Sequence, residues 1–358
     1  MSIKQLGEAS VELPKGILRQ RWYVYAIIVV LVLLVLVLAT SIGSVSVPFS
    51  TTFSILADKL PFVDITPTWS VNIETIIFDI RLPRVLMAGL VGAALAIAGA
   101  TYQGLFRNPL ADPYLIGVAQ GASLGAVIGF LLPVSWNLAG FGLIPLLAFV
   151  GALLATTTVY LLARVGKALP VTTLILAGVA LSALLSSIVS YLVISSGESM
   201  KAIIFWLMGS FALSDWSEVG IVLPYVAAGV LVITLFGRML NVMQLDEEQA
   251  QQLGVNVERL KIILLAAATL ITAASVAFVG TIGFVGIIIP HAVRLVWGSD
   301  HRSLLPLSVL IGAIFMILTD LIARTILSPT EIPIGVITAI CGAPFFLYLL
   351  RRRKKAIF

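Results

Sequence analysis

Residues 241–261 read NVMQLDEEQAQQLGVNVERLK, and this charged segment separates two apolar stretches, 219–236 and 262–279. Each apolar stretch has close to the ~20 residues that a transmembrane helix needs. Because charged side chains are rare inside a bilayer, the segment between the two stretches must stand in water. The chain is therefore predicted to cross the membrane, leave it for a polar segment, and cross it again.

The same segment carries local signals for helices. Asp246 is a favoured N-cap residue, and Glu247 and Glu248 favour the first turn of a helix. Gly254 can end that helix in the left-handed conformation, and Asn256 can cap a second short helix. We therefore predict two short cytoplasmic helices that bind a soluble partner; a solvated linker is the alternative interpretation.

The composition of the whole chain extends this pattern. Of its 358 residues, 60% are hydrophobic and only 11% are charged, and the mean hydropathy is +1.11, so we predict an all-α polytopic membrane protein. The ten predicted transmembrane helices are 23–43, 85–106, 114–132, 141–163, 171–194, 219–236, 262–279, 284–293, 304–322 and 334–350. The predicted divisions are a cytoplasmic segment at 1–22, a membrane domain at 23–350 with the two short helices at 241–260, and a basic tail at 351–358.

Lys and Arg residues decide the predicted orientation, because basic loops stay on the cytoplasmic side. With ten spans and both termini in the cytoplasm, most of the 22 Lys and Arg residues fall in cytoplasmic segments. The net charge of +5 comes largely from the tail, an ordinary anchor for a last span, so no nucleic acid is predicted as a partner. The predicted location is the cell (inner) membrane, with the lipid bilayer around the spans.

No residue pattern predicts catalysis or a cofactor bound by this chain. The phosphate-binding loop G-x-x-x-x-G-K-[ST] is absent, so ATP is not expected to bind in that way. Cys341 is the single cysteine, and neither His291 nor His301 has a second His or Cys at ligand spacing. We therefore predict no metal site, and a protein that is not an enzyme.

The eighth predicted crossing is unusually short. Residues 280–293 would span about 21 Å as a helix, against roughly 30 Å of hydrocarbon. Gly280, Gly283, Gly286 and Pro290 also interrupt a helical pattern. Part of the crossing is therefore predicted to be non-helical and packed inside the bundle.

Asp320 is the one charged residue that falls inside a predicted span. Arg324 lies four residues later, on the same face of the helix, where the two can pair. An ion-coupled secondary transporter that uses Asp320 as a proton relay is one functional alternative, although such carriers usually need more buried ionisable groups. A channel or membrane scaffold is a third.

Three arginines lie at the predicted outer ends of spans: Arg81 and Arg84 in RLPR, and Arg324. Snorkelling to the interface explains such positions in many membrane proteins. Outer segments are usually poor in arginine, however, so the three guanidiniums could instead dock an acidic external protein through carboxylate pairs.

Six motifs, ordered along the chain, resemble the FecCD permeases. They are RLPR at 81–84, Gln103 with RNPLADPYLIG at 107–117, WLMGS at 206–210, GFVGIIIPHAVRL at 283–295, DLIAR at 320–324 and PTEIPIGVITAICGAPFFLYLL at 329–350. FecCD permeases are the membrane subunits of ABC importers for iron chelates, haem and cobalamin. Residues 1–80 are similar only in the placement of the first span.

The resemblance implies the partners and the roles of particular residues. It implies a ten-span permease that pairs with a second copy, two ABC ATPase subunits that bind ATP and Mg²⁺ on the cytoplasmic side, and a periplasmic or extracellular substrate-binding protein. It places Arg81, Arg84 and Arg324 at the docking site for the binding protein, and Asn108, Leu110, Thr172 and Thr173 at a cytoplasmic gate. It places Asp246, Glu247, Glu248, Gln249, Leu253, Gly254 and Val255 in a groove of the ATPase. The implied cargo is a ferric siderophore or haem, or cobalamin or another corrinoid.

Overall fold

The computed structural model describes residues 15–354, apart from 44, 60, 62, 64, 135–136, 139–140 and 167. The described chain is almost entirely helical. Its helices are α1 Lys15–Ser41, α2 Phe49–Asp58, α3 Val71–Thr75, α4 Leu82–Phe106, α5 Val118–Leu131, α6 Leu143–Ala163, α7 Val171–Ser195, α8 Met200–Leu207, α9 Trp216–Leu235, α10 Gly237–Val242, α11 Glu247–Gln252, α12 Val257–Val279, α13 Val285–Trp297, α14 His301–Thr325 and α15 Ile334–Lys354. A π-helical turn, Ile76–Arg81, joins α3 to α4, and a two-residue β pair links Asn137–Leu138 to Phe141–Gly142.

Among the described residues, seven helical segments are long and apolar enough to cross a membrane. They are Trp22–Ser41, Val71–Phe106, Leu143–Ala163, Val171–Ser195, Trp216–Leu235, Val257–Val279 and His301–Thr325. Three shorter apolar helices, Val118–Leu131, Val285–Trp297 and Ile334–Leu347, account for the other predicted stretches. Each stretch predicted from hydropathy therefore coincides with an apolar helix, because composition alone marks these segments.

Helix α4 lies at the centre of the bundle and packs against α9, α12, α13 and α14. Its glycines allow this close packing. A Cβ atom on Gly99 would overlap the carbonyl oxygen of Gly286 in α13, and one on Gly92 would overlap that of Gly312 in α14. Small residues at helix crossings let two backbones approach closely, which supplies the van der Waals contact that holds membrane helices together.

The short crossing between α12 and α14 is broken, as the sequence predicts. Residues 280–284 are not helical, and Gly280 and Phe284 have positive φ angles of 77° and 72°. The non-helical residues next to α8, α12 and α15 form hydrogen bonds with one another's backbone groups. Ser210 N donates to Val279 O at 2.9 Å, and Ile334 N donates to Gly209 O at 2.9 Å. The irregular backbone is thus packed against protein, the condition under which such backbone persists in a membrane protein.

The charged segment at 241–261 forms the first of the two predicted short helices, α11, but not the second. Asn256 caps a helix, with its Oδ1 accepting from Arg259 N at 3.1 Å, but that helix is the long α12. The second short helix is α10, which lies before α11. The prediction was wrong here because a cap marks where a helix begins and says nothing about its length.

The two ends of α11 also differ in how well they were predicted. Gly254 has a φ of 84° and ends the helix as expected. Asp246 occupies the N-cap position, but its side chain forms no capping hydrogen bond. Its carboxylate instead pairs with Arg107, a residue that is far away in sequence.

Candidate functional site

An arginine cluster lies at the end of the bundle that is predicted to face outward. We define it as Arg81, Arg84 and Arg324 with the carboxylates of Asp320 and Glu331. Arg84, in α4, donates from Nη2 to Asp320 Oδ1 at 2.8 Å and from Nη1 to Glu331 Oε1 at 2.7 Å. A second bond, from Arg84 Nε to Asp320 Oδ2 at 3.2 Å, makes the Asp320 contact bidentate. The cluster therefore ties α4 to α14 and to the loop that follows α14.

The other two arginines tie α1 to the same end. Arg81 donates to the backbone carbonyls of Ser41 at 2.9 Å and of Val45 at 2.5 Å. Arg324 donates to the carbonyl of Ala39, and its Nε lies 3.5 Å from Asp320 Oδ2. The predicted pairing of Arg324 with Asp320 is confirmed, but Arg84 is the closer partner of this carboxylate.

The structure places all three arginines below the surface. Arg81 is 6% exposed and Arg324 is 9% exposed, and the side chain of Arg84 is 11% exposed. From the sequence, the three guanidiniums are predicted to lie at the rim for an external partner, whereas here they hold acceptors of their own chain. Their docking role stays a prediction, and any partner must compete with these internal contacts.

The loop after α4 contains the first two predicted gate residues. Asn108 Oδ1 accepts from Leu110 N at 3.0 Å, so the loop forms the turn that its Asn-Pro sequence predicts. Leu110 is exposed, whereas Asp112, two residues on, is buried and accepts from Tyr114 N at 2.8 Å. Burial raises the pKa of Asp112 to about 6.

The other two predicted gate residues lie in the first turn of α7. Thr173 Oγ1 donates to Ala163 O and to Pro170 O, both at 2.9 Å, whereas Thr172 is exposed. Helix α7 packs against the 3₁₀ turn Pro113–Ile116, which follows the Asn108 loop. The fold thus joins the loop and α7 through this turn.

The residues predicted to bind an ATPase surround α11. Glu248, Gln249 and Leu253 are exposed, while Ala250 faces the protein and is buried. Val255 is partly buried, and its N donates to Ala250 O at 3.1 Å beside Gly254. The helix therefore has one face packed on the bundle and one face open for a partner.

Sequence reasoning missed a lysine cluster beneath this helix, which we define as Lys261, Glu247, Glu258 and the backbone of Leu169. Lys261 Nζ lies 2.9 Å from Glu247 Oε2 and 3.2 Å from Glu258 Oε1, and it donates to Leu169 O at 3.2 Å. Glu258 Oε2 in turn accepts from Leu169 N at 2.9 Å. The spacing of Glu258 and Lys261, three residues apart on one helix, was the available signal.

A cavity of about 780 Å³ lies between the broken segment and the beginning of α15. Its lining includes Met208, Thr281, Phe284, Val336 and Ile340, and none of the described residues that line it is charged. Within the part of the chain that the structure describes, no group of three or more His, Cys, Asp or Glu side chains is placed to hold a metal ion.

Comparison with known proteins assigns the class. The model of the FecCD transport family matches residues 30–352, and the chain belongs to this family. It is 49% identical over 281 residues to the cobalamin import system permease protein BtuC of Halobacterium salinarum, covering 78% of this chain and 74% of that protein. It is 40% identical over 286 residues to the hemin transport system permease protein HmuU of Yersinia pestis, covering 77% and 83%.

Further similarity comes from an iron-citrate relative and from a solved structure. The Fe(3+) dicitrate transport system permease protein FecD of Escherichia coli is 40% identical over 279 residues, covering 78% of this chain and 86% of that protein. A metal-chelate type ABC transporter, solved in an inward-facing conformation, matches with a TM-score of 0.79 and 34% identity over 91% of this chain and 97% of that one.

Proposed function

We propose that this chain is the transmembrane permease subunit of a binding-protein-dependent ABC importer that moves a metal chelate into the cytoplasm. The observation that carries the proposal is the family match across residues 30–352. Similar permeases are named for cobalamin, hemin and ferric dicitrate, so the cargo class is a ferric siderophore, haem or a corrinoid such as cobalamin. In this proposal ATP is hydrolysed on a separate subunit, and the chain binds no cofactor.

In the proposed assembly, ten helices cross the inner membrane with both termini in the cytoplasm, and two copies of the chain form a homodimer. The exposed apolar face of α7 is a reason to expect a second copy that covers it. Only Leu174, Gly178 and Val189 of this apolar helix are buried. Together with the neutral cavity beside α15, this face would line a path between the two copies through which a bulky chelate can pass.

Two ATPase subunits bind the cytoplasmic side, one at α11 of each permease copy. The exposed side chains of Glu248, Gln249 and Leu253 would enter a groove of the ATPase, while the buried Ala250 holds the helix on the bundle and Gly254 ends it. A short helix that is firmly based can pass a rigid-body displacement to the spans that it contacts.

The cytoplasmic gate is formed by Asn108, Leu110, Thr172 and Thr173 from both copies. Because Asn108 precedes Pro109, the loop is a turn that can move without breaking a helix. We expect a disulfide between copies of a Leu110→Cys, Cys341→Ala variant in one nucleotide state and not in another. Crosslinking that is independent of nucleotide would remove the gate role.

Arg81, Arg84 and Arg324 dock the substrate-binding protein in this proposal. Since they already hold acceptors of their own chain, docking would proceed by exchange of these acceptors at a site that is partly shielded from water. The acceptors are backbone carbonyls for Arg81 and carboxylates for Arg84 and Arg324. Exchange keeps an acceptor on each guanidinium, so docking need not leave a buried arginine unpaired.

The docking role can be tested with a double variant, Arg81→Gln with Arg84→Gln, whose folding is first checked by gel filtration. We expect its affinity for the binding protein to fall at low salt, and the difference from the native chain to shrink at high salt. Lys59→Gln is the control, because Lys59 is also predicted to lie outside and pairs with Glu74 at 2.5 Å. Equal effects of both changes would contradict a specific docking site.

The importer function itself can be tested in liposomes that contain the permease and its ATPase. We expect ATP hydrolysis that is stimulated by a loaded binding protein, tried with a ferric siderophore, haem and cobalamin in turn. Uptake without ATP and without a binding protein would favour the ion-coupled carrier. The full burial of Asp320 against Arg84 favours a structural charge over a proton relay.

A further inference from the structure

Two adjacent acidic residues at the beginning of α11 lead to the two predicted gate segments, the Asn108 loop and the beginning of α7, through Arg107 and Lys261. The first contact leads to the loop after α4. Asp246 Oδ1 lies 3.0 Å from Arg107 Nη1, which also donates to Leu245 O at 3.2 Å. Arg107 has a φ of 50° at the end of α4 and directly precedes Asn108. A displacement of α11 therefore pulls on the first residue of this loop.

The second contact leads to the beginning of α7. Glu247 binds Lys261 Nζ, and Lys261 Nζ also donates to the carbonyl of Leu169. Leu169 N donates to Glu258, so both backbone groups of this one residue are held by the lysine cluster. Pro170 and the first turn of α7, with Thr172, follow directly. A displacement of α11 therefore reaches the second gate segment as well.

The two contacts differ in their exposure to solvent. The side chain of Lys261 is only 4% exposed, whereas those of Arg107 and Asp246 are 38% and 77% exposed. Glu247 and Glu258, the partners of Lys261, are 34% and 29% exposed, so the pairs of Lys261 are partly shielded from solvent. The Arg107–Asp246 pair is more exposed, so it is weakened more by water and salt and exchanges more readily. The contact with α7 should thus be rigid, and the contact with the Asn108 loop should be breakable.

We propose that Lys261 is the positioning residue that transmits movement of α11 to α7, while the Arg107–Asp246 pair forms a second, breakable link to the Asn108 loop. This inference rests on the proposed importer function, in which α11 binds the ATPase. In this arrangement the beginning of α7 follows α11 throughout the cycle, and the loop can separate from α11 during part of it.

The test uses Lys261→Met in the complete complex of permease, ATPase and binding protein, reconstituted in liposomes. We expect the number of chelate molecules transported per ATP to fall roughly tenfold or more, while ATP hydrolysis stays close to that of the native complex. Lys261→Arg should restore most of the coupling. Arg259→Met is the matched control, since Arg259 lies on the same helix and is exposed, with no ion pair to any described residue.

Crosslinking between the two copies distinguishes the link to α7 from the link to the Asn108 loop, because a cysteine introduced in each gate segment reports on that segment alone. In Lys261→Met, disulfide formation at Thr172→Cys should lose its dependence on nucleotide, while that at Leu110→Cys should keep it. If both positions keep their dependence and the transport ratio is unchanged, Lys261 is not a transmitting residue.

A second variant keeps the test informative if Lys261→Met does not assemble. Should Lys261→Met fail to assemble, Glu258→Gln with Lys261→Met removes two of the three charges of the cluster, leaves only the partly exposed Glu247 charged, and keeps an amide oxygen for Leu169 N. Loss of assembly in this variant too, with a normal ratio in the residual complex, would overturn the proposal in favour of a structural role. Failure of the proposed function itself is distinguishable, since the native complex would then show no ATP-driven uptake.

Discussion

The arginine cluster and the lysine cluster use the same chemistry at opposite ends of the molecule. In each, one buried cation lies between two carboxylates: Arg84 between Asp320 and Glu331, and Lys261 between Glu247 and Glu258. They differ in what they connect. The first joins two long helices that already pack along their length, and the second joins a long helix to a short helix and a loop.

This difference shows that the same kind of ion pair can either reinforce a helix interface or transmit the movement of a short helix to its neighbours. Helices α4 and α14 share an extended interface with close backbone approach at Gly92 and Gly312, so their ion pairs reinforce contacts that would exist without them. Helix α11 has few contacts with its neighbours, so the lysine cluster accounts for a large part of its attachment. Substitutions at the two clusters should accordingly differ in both size and kind.

The largest effect is expected at Asp320. Asp320→Ala should lower the free energy of unfolding by about 3–5 kcal/mol, because it leaves Arg84 and Arg324 buried with one carboxylate fewer. Chemical unfolding in detergent would measure this, with the exposed Glu198→Ala as a control that changes stability by less than about 0.5 kcal/mol. A carrier that uses Asp320 would behave differently, since Asp320→Asn would abolish transport and leave stability intact.

A smaller loss of stability is expected at Lys261. Lys261→Met should lower the free energy of unfolding by about 1–3 kcal/mol, because its two carboxylates keep partial contact with water after the cation is lost. The same unfolding experiment would give the value. A loss as large as that of Asp320→Ala would mean that the lysine cluster, like the arginine cluster, holds the long helices of the bundle together. The two clusters would then not differ in role.

The end of α11 provides a test that depends on backbone conformation alone. Gly254→Val places a β-branched residue at a φ of 84°, which should cost about 1–2 kcal/mol although no atom lies near the added Cβ. Assembly with the ATPase, or hydrolysis coupled to transport, should then fall. If the purified complex of this variant hydrolyses ATP and transports normally, the assignment of α11 as the ATPase contact is wrong.

The smallest effect is expected at the exposed pair. Asp246→Ala should change the free energy of unfolding by ~0–1 kcal/mol, because water and salt screen the contact with Arg107. Repeating the measurement at high salt should reduce the difference further. A loss that persists at high salt would show that this pair is as firmly held as the lysine cluster.

Much of the fold could be predicted from the sequence, because apolar stretches, glycines and prolines act locally. Hydropathy located the apolar helices, and Gly280 with its neighbours indicated the broken crossing. The clusters depend on distant residues. Arg84 and Asp320 are 236 positions apart, and their pairing follows only from the packing of α4 on α14. Lys261 counted as one more basic residue of a cytoplasmic segment, yet the structure buries it.

The interrupted segments bear on how the chain is made. Met208 and Gly209, in the turn after α8, accept backbone hydrogen bonds from Gly335 and Ile334 at the beginning of α15, each at 2.9 Å. The ribosome synthesises Met208 and Gly209 more than a hundred residues before it reaches Ile334 and Gly335. Until α15 emerges, those carbonyls need a temporary partner such as water or an insertion factor. Nascent chains that end before Ile334 should therefore be targets for membrane quality control.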